Sequence, residues 1–196
     1  MNLFKSFIVF SSLTIAAASH AFVIFDNTEF NTGTTFRSAG DAPGLVVTNT
    51  NATDVQLTRV AFEGRNFVAQ NFKFFLADSN GNVLDAVIVA YGTIASDALI
   101  GADVNWNLVA GSTYTIAAMS ESGQAAYNFL TPGSPTSQNG LTAGNNTNWS
   151  GFVNPTLTST GAAEMAWQLE SVPEPATMTM LGLGVAALVA RRRRSA

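Results

Sequence analysis

The sequence predicts an all-β fold: an antiparallel, jelly-roll-like β-sandwich flanked by an N-terminal signal peptide and a C-terminal transmembrane helix. Three observations carry this reading. Between Phe22 and Ser171, short apolar runs rich in Val, Ile, Phe and Tyr alternate with period two. Clusters of Asn, Gly, Asp, Ser and Pro separate these runs at short intervals. No helical period persists in that interval, whereas both ends of the chain carry apolar runs free of charge.

Residues 1–21 read as the signal peptide. Lys5 supplies one positive charge, Phe7 to Ala18 is mostly apolar, and Ser19-His20-Ala21 places small residues at the −3 and −1 positions for signal-peptidase cleavage after Ala21. Phe22-Val23-Ile24-Phe25 then reads as a first strand. Asp26 to Asp41 is loop-like, with Phe30 and Phe36 as anchors. Pro43-Gly44 reads as a turn before a strand at Leu45 to Thr48, and Asn49 to Asp54 as a loop.

Val55 to Glu63 is a strand with a change of phase. Val55 and Leu57 share one face, and Val60 and Phe62 fall on the other unless a bulge near Thr58-Arg59 reunites them. Phe72, Phe74 and Leu76 alternate with Lys73 and Phe75. Asp78-Ser79-Asn80-Gly81-Asn82 separates this run from the apolar run Val83 to Ala90, the pattern of a hairpin. Asp78, Asn80 and Asn82 share the spacing of the first EF-hand ligands. Val83 stands where that loop requires Gly, however, and Val89 stands where it requires Glu, so a turn is expected and no metal site.

Val104, Trp106 and Leu108 alternate with Asn105 and Asn107. Ala110-Gly111-Ser112 turns the chain into a strand with Tyr114, Ile116 and Ala118 on one face, and Ala125 to Leu130 reads as a further strand. Thr131 to Gly161 is too long for a bare connector and is expected to hide one or two strands, around Leu141 and around Phe152 to Leu157. In the last strand Ala163, Met165, Trp167 and Leu169 alternate with Glu164, Ala166, Gln168 and Glu170, one apolar face and one polar. The expected core includes Val55, Leu57, Val60, Phe62, Phe72, Phe74, Leu76, Tyr114, Ile116, Trp167 and Leu169.

Composition excludes much chemistry. The chain has no cysteine, and its one histidine, His20, leaves with the signal peptide. Cys or His nucleophiles, Ser-His-Asp triads, structural zinc and His- or Cys-ligated haem all need residues that the domain lacks. Without disulfides the domain holds together by its core alone. A domain of about 150 residues suffices, since it buries roughly 68–70% of its unfolded surface. Residues 22–171 carry twelve acids and four bases, a net −8, which disfavours nucleic acid and anionic lipid as partners. Paired carboxylates are the remaining hydrolytic option, but no pair is singled out by spacing, and Asp85, Glu164 and Glu170 read as outward. No catalytic residue, cofactor or enzymatic activity is expected. Tyr127 and Trp149 are the candidates for stacking on sugar rings. Trp149 lies among the amides of Asn145 to Ser150, and its competing reading is as a plug over one end of the sandwich.

The tail is the most specific stretch. Val172-Pro173-Glu174-Pro175 is followed by fifteen residues, 176–190, whose only polar side chains are Thr177 and Thr179, and then by Arg191, Arg192, Arg193 and Arg194. The prolines suit a helix start just after Pro175. Fifteen residues rise about 22 Å, short of the ~30 Å hydrocarbon core, a gap that snorkelling arginines and local thinning can close. The four arginines act as a membrane stop and stay cytoplasmic, which puts the domain on the other side.

Pro-Glu-Pro, an apolar helix and an Arg cluster, in that order over 172–196, resemble the PEP-CTERM sorting signal. The resemblance implies recognition by an exosortase at Val172, Pro173, Glu174 and Pro175, and processing near that motif. It further implies an exported protein of a Gram-negative, exopolysaccharide-producing bacterium. Such a protein is tethered to the inner membrane with its domain in the periplasm, then reaches the cell surface or medium. Two functions fit: a non-enzymatic cell-envelope or biofilm-matrix protein, or a carbohydrate-binding module for exopolysaccharide. An exposed aromatic platform would favour the second.

Overall fold

The computed structural model describes residues 21–130 and 136–172. The expected signal peptide up to His20, the motif residues Pro173, Glu174 and Pro175, the apolar run 176–190 and Arg191 to Arg194 lie outside the described residues. Residues 21–172 form a compact unit by themselves. Its strands are β1 (Phe22–Asp26), β2 (Gly33–Arg37), β3 (Asp41–Asn49), β4 (Val55–Asn66), β5 (Gln70–Asp78), β6 (Val83–Tyr91), β7 (Ile94–Leu108), β8 (Thr113–Ser120), β9 (Ala125–Leu130), β10 (Ser137–Gln138), β11 (Leu141–Ser150), β12 (Thr156–Thr160), β13 (Glu164–Met165) and β14 (Trp167–Ser171). One 3₁₀ turn spans Thr28–Phe30, and no α-helix occurs among the described residues.

The strands form two antiparallel sheets of seven. In the first, β2, β9, β4 and β7 lie side by side, with β14 and then β1 continuing from β4, and β13 on β9. In the second the order is β11-β3-β8-β5-β6, with β10 and β12 attached to β11. The chain changes sheet between most consecutive long strands, from β3 to β4 to β5 and from β6 to β7 to β8 to β9. Only the β5–β6 hairpin stays within one sheet over that stretch. The inner faces of both sheets share one core. Phe62 is central to it, stacked on Tyr127 with centroids 4.7 Å apart and close to Phe72, Phe74 and Trp167.

The change of phase in β4 is real. Its register breaks between Leu57 and Arg59 against β7, and also against β14, so Leu57, Val60 and Phe62 all reach the core despite their odd spacing. The other expected core residues are buried too, apart from Val55, which is half-buried at the outer end of β4.

Several expectations need correction. Pro43-Gly44 is not a turn but part of β3. The β3–β8 ladder begins at Gly44, so Pro43 lies just outside it and its missing N–H breaks no bond to β8. Residues 33–37, read as loop, form β2. Phe36 is no anchor either: it is 53% exposed and rests on Phe67. The last strand splits at Ala166, with β13 pairing to β9 and β14 to β4. Met165, Trp167 and Leu169 keep the core face, yet Glu164 is buried and not open to solvent, because Asn27 and Thr136 close over it.

The second sheet is covered on its outer face as well. Ala42, Phe75, Ala77, Ala117, Met119 and Trp149 form a smaller core there, with Phe152 packed against it. This explains why Phe75, an outward position by alternation, is fully buried. The β11–β12 hairpin folds over it. Lys73 Nζ donates to the Val153 carbonyl at 2.8 Å and lies 5.1 Å from the Phe152 ring centroid.

Candidate functional site

The two aromatic candidates are both buried. Tyr127 lies in β9 with no exposed surface, and its hydroxyl donates to the Ala118 carbonyl at 2.9 Å. Burial pushes its phenol well above the ordinary tyrosine range. Trp149 is 1% exposed; its indole N–H donates to Thr147 Oγ1 at 2.9 Å and its ring meets Phe75. Neither presents a ring face to a sugar, so the stacking roles considered for Tyr127 and Trp149 do not hold in this fold. Trp149 is a plug, over the outer face of a sheet and not over the end of the sandwich.

The turn Asp78–Asn82 uses its acid internally. The Asp78 carboxylate accepts the N–H groups of Asn80 and Asn82, each at 2.9 Å, and Asn82 Nδ2 at 2.9 Å. The Asn82 side-chain bond leads in holding Asp78 below the usual carboxylate range. Gly81 adopts φ +85°, the left-handed conformation that closes the hairpin. Among the described residues, no group of three or more His, Cys, Asp or Glu gathers where it could hold a metal ion.

The carboxylates are separately engaged. Arg65 grips Asp97 at 2.8 and 3.0 Å. Arg59 faces Asp103 at 3.4 Å and Glu170 at 3.5 Å. Asp54 accepts from Asn107 and the Ala110 N–H. Glu164 accepts from Asn27 Nδ2 at 2.5 Å and the Thr136 N–H at 3.0 Å.

One polar cleft of about 430 Å³ was not visible in the sequence. It is lined by Arg37, Asp41, Asn148, Ser150, Thr158 and Ser159, beside Trp149. Arg37 Nη2 donates to Asn148 Oδ1 at 2.9 Å, and Asn148 Nδ2 donates to Ser159 Oγ at 3.1 Å. Arg37 Nε is buried without a partner. These groups come from β2, β3, β11 and β12, which no spacing rule connects. The amides of 145–148 were the only signal. Chemically the cleft offers hydrogen-bond donors and acceptors.

Ser171 closes β14 opposite Leu57, and Val172 follows it as the last described residue. The polypeptide therefore leaves a sheet strand directly into the Pro-Glu-Pro motif. Residues 171–194 match the family model of the PEP-CTERM protein-sorting motif. That match confirms the resemblance read from the same residues. The motif implies exosortase-dependent sorting to the cell envelope, with export, a membrane-anchored C-terminal segment before processing, and exosortase as the processing partner. No curated protein matches the chain.

Proposed function

We propose that this chain is an exported, non-enzymatic protein of the cell envelope or extracellular matrix. Its signal peptide, residues 1–21, is cleaved after Ala21. The domain at 22–171 is its cargo, and residues 172–196 are its removable sorting region. The observation that carries this reading is the sorting-motif match beginning on Ser171, the last residue of a core strand. With no stalk between them, sorting acts directly on the folded domain. We read the strand orders β2-β9-β4-β7 and β3-β8-β5-β6 as the two halves of a jelly roll, a form suited to display because its loops vary without disturbing the sheets. Intact mass of the protein recovered from the outer envelope or medium tests this function. Loss of Arg191 to Arg194 from the wild type and their retention in Glu174→Ala are expected. A wild type that keeps them throughout is a plain anchored protein, and the proposal fails.

A second reading, carbohydrate binding to exopolysaccharide, draws support from the polar cleft and not from stacking. Arg37, Asp41, Ser150, Thr158 and Ser159 are the side-chain types that recognise sugar hydroxyls. Titration of the producing cell's own polysaccharide, against wild type and Asp41→Ala, decides it. Equal heats for the two proteins rule out the cleft.

A further inference from the structure

The outer edge of the second sheet is open. β6 pairs with β5 on one side and has no strand on the other among the described residues. An unpaired edge is normally protected by Lys, Pro, a bulge or brevity. From Ala86 to Tyr91 β6 has none of these: the strand is nine residues long, reads VLDAVIVAY, and both its one register break, against β5, and its one charge, Asp85, a further kind of edge protection, lie near its start. Leu84 and Ile88 are each 54% exposed, and Ala86 and Ala90 are exposed beside them on the same outer face. The one charge, Asp85, expected to point outward, is instead turned toward the sandwich, where it accepts Trp106 Nε1 at 3.1 Å and the Ala86 N–H at 2.7 Å. Each free edge has one stretch met by a side chain: Asp85 takes the Ala86 N–H of β6, an exchange the incoming strand must make, and on β7 the Tyr91 hydroxyl bonds both the N–H and the carbonyl of Gly101.

We propose that β6 is a self-association edge that pairs antiparallel with β6 of a second copy of this chain, about a dyad at Val87. The free backbone groups of an edge call for another strand as occupant. The side chains argue for β6 itself. In that register Leu84 lies opposite the partner's Ala90, and Ile88 opposite the partner's Ala86, so each large outward side chain meets a small one. Val87 meets the partner's Val87. Asp85 falls opposite the partner's Val89, so the strand's only charge never faces its own copy. The domain carries a net −8, yet this edge brings no like charges opposite one another. Residues 131–135 of the chain, TPGSP, are unsuited to the edge because two of the five are prolines without the N–H that a ladder needs. The paired sheet would run continuously through both copies.

The test uses the full chain, which has no native cysteine. Val87→Cys under mild oxidation should give a disulfide dimer on a non-reducing gel, at least fivefold above Val153→Cys, whose position is 78% exposed on the β11–β12 loop. Adding Ile88→Lys to Val87→Cys should return the signal to the Val153→Cys level without changing the melting temperature. Sedimentation of the unmodified chain gives an independent readout. Its mass should double with concentration, while Ile88→Lys stays monomeric. A wild type that is monomeric at every concentration, or cross-linking that is as strong at 153 as at 87, overturns the proposal.

Discussion

Trp149 closes over Phe75, the two rings meeting edge to face with centroids 5.0 Å apart and planes at 73°. Phe75 belongs to β5 and Trp149 to β11, with β3 and β8 between them in the sheet. The indole spans that distance over Ala42 and Ala117, whose small side chains leave room for it. The second sheet is thus buried on both faces along β8, whose Thr115, Ala117 and Met119 are covered as fully as Tyr114, Ile116 and Ala118.

Trp149→Ala should therefore destabilise the domain by about 3–5 kcal/mol, the usual loss for a buried Trp or Phe truncated to Ala. Trp149→Phe should lose clearly less. Urea denaturation measures both. If polysaccharide binding vanished in Trp149→Ala with the unfolding midpoint unchanged, the ring would be a ligand platform and not a plug.

Gly81 sits at φ +85°, and a Cβ there would lie 3.3 Å from the Leu157 Cβ. Gly81→Val combines left-handed strain of about 1–2 kcal/mol with crowding against the folded-over β12. Its melting temperature should fall, and that of Gly81→Asn should fall less, because Asn tolerates this conformation. Equal melting temperatures for all three proteins would place the tight turn elsewhere.

Asn27 is fully buried and joins three groups: its Nδ2 donates to Glu164 Oε1 and to the Met165 carbonyl at 2.9 Å, and its Oδ1 accepts the Trp167 N–H at 2.7 Å. Asn27→Ala leaves the Glu164 carboxylate and the Trp167 N–H short of partners. A buried group left unsatisfied costs about 1–3 kcal/mol, so a drop in unfolding free energy of at least that size is expected by denaturant titration. Glu164→Gln, which keeps an acceptor for Asn27, should lose less than Glu164→Ala.

Burial acts to raise the pKa of Asp26, but hydrogen bonds from Gln168 and Thr28 outweigh it and leave the group below its ordinary value of 3.8. The unfolded chain therefore takes up this proton at higher pH than the folded one. The stability it contributes is complete above the ordinary carboxylate value and is lost as pH falls from about 4 through the folded pKa. Asp26→Asn should flatten that part of the stability–pH curve, followed by thermal melts between pH 5 and 2. An unchanged slope would mean that other carboxylates dominate acid unfolding.

Much of this protein was legible in its residues because the relevant signals are local. Period-two alternation marked β5, β8 and most of β4, and the odd step from Leu57 to Val60 revealed the register break, since a strand can bury both only by adding a residue. Asn80-Gly81 marked its hairpin for the same local reason: few residues accept positive φ. The sorting segment is a linear signal recognised in order, so Pro173-Glu174-Pro175, the apolar run and the arginines needed no fold to be read.

The tertiary structure alone decided what depends on the second face of a sheet and on contacts between distant strands. Alternation assigns residues to faces but cannot say which faces are covered. Phe75 and Trp149 became core because a hairpin from residues 141–160 folds over the outer face of the second sheet. Phe36 stayed exposed because, among the described residues, no element folds over it as the 141–160 hairpin does over Phe75. Glu164 became buried because Asn27 and Thr136, distant in sequence, close over it. The cleft at Arg37 and Asn148 exists only because β2 of the first sheet meets β11 of the second, bringing residues 111 positions apart into contact. Spacing in sequence carries no information about such contacts; they are set by which strands pair and which faces the chain crosses to cover.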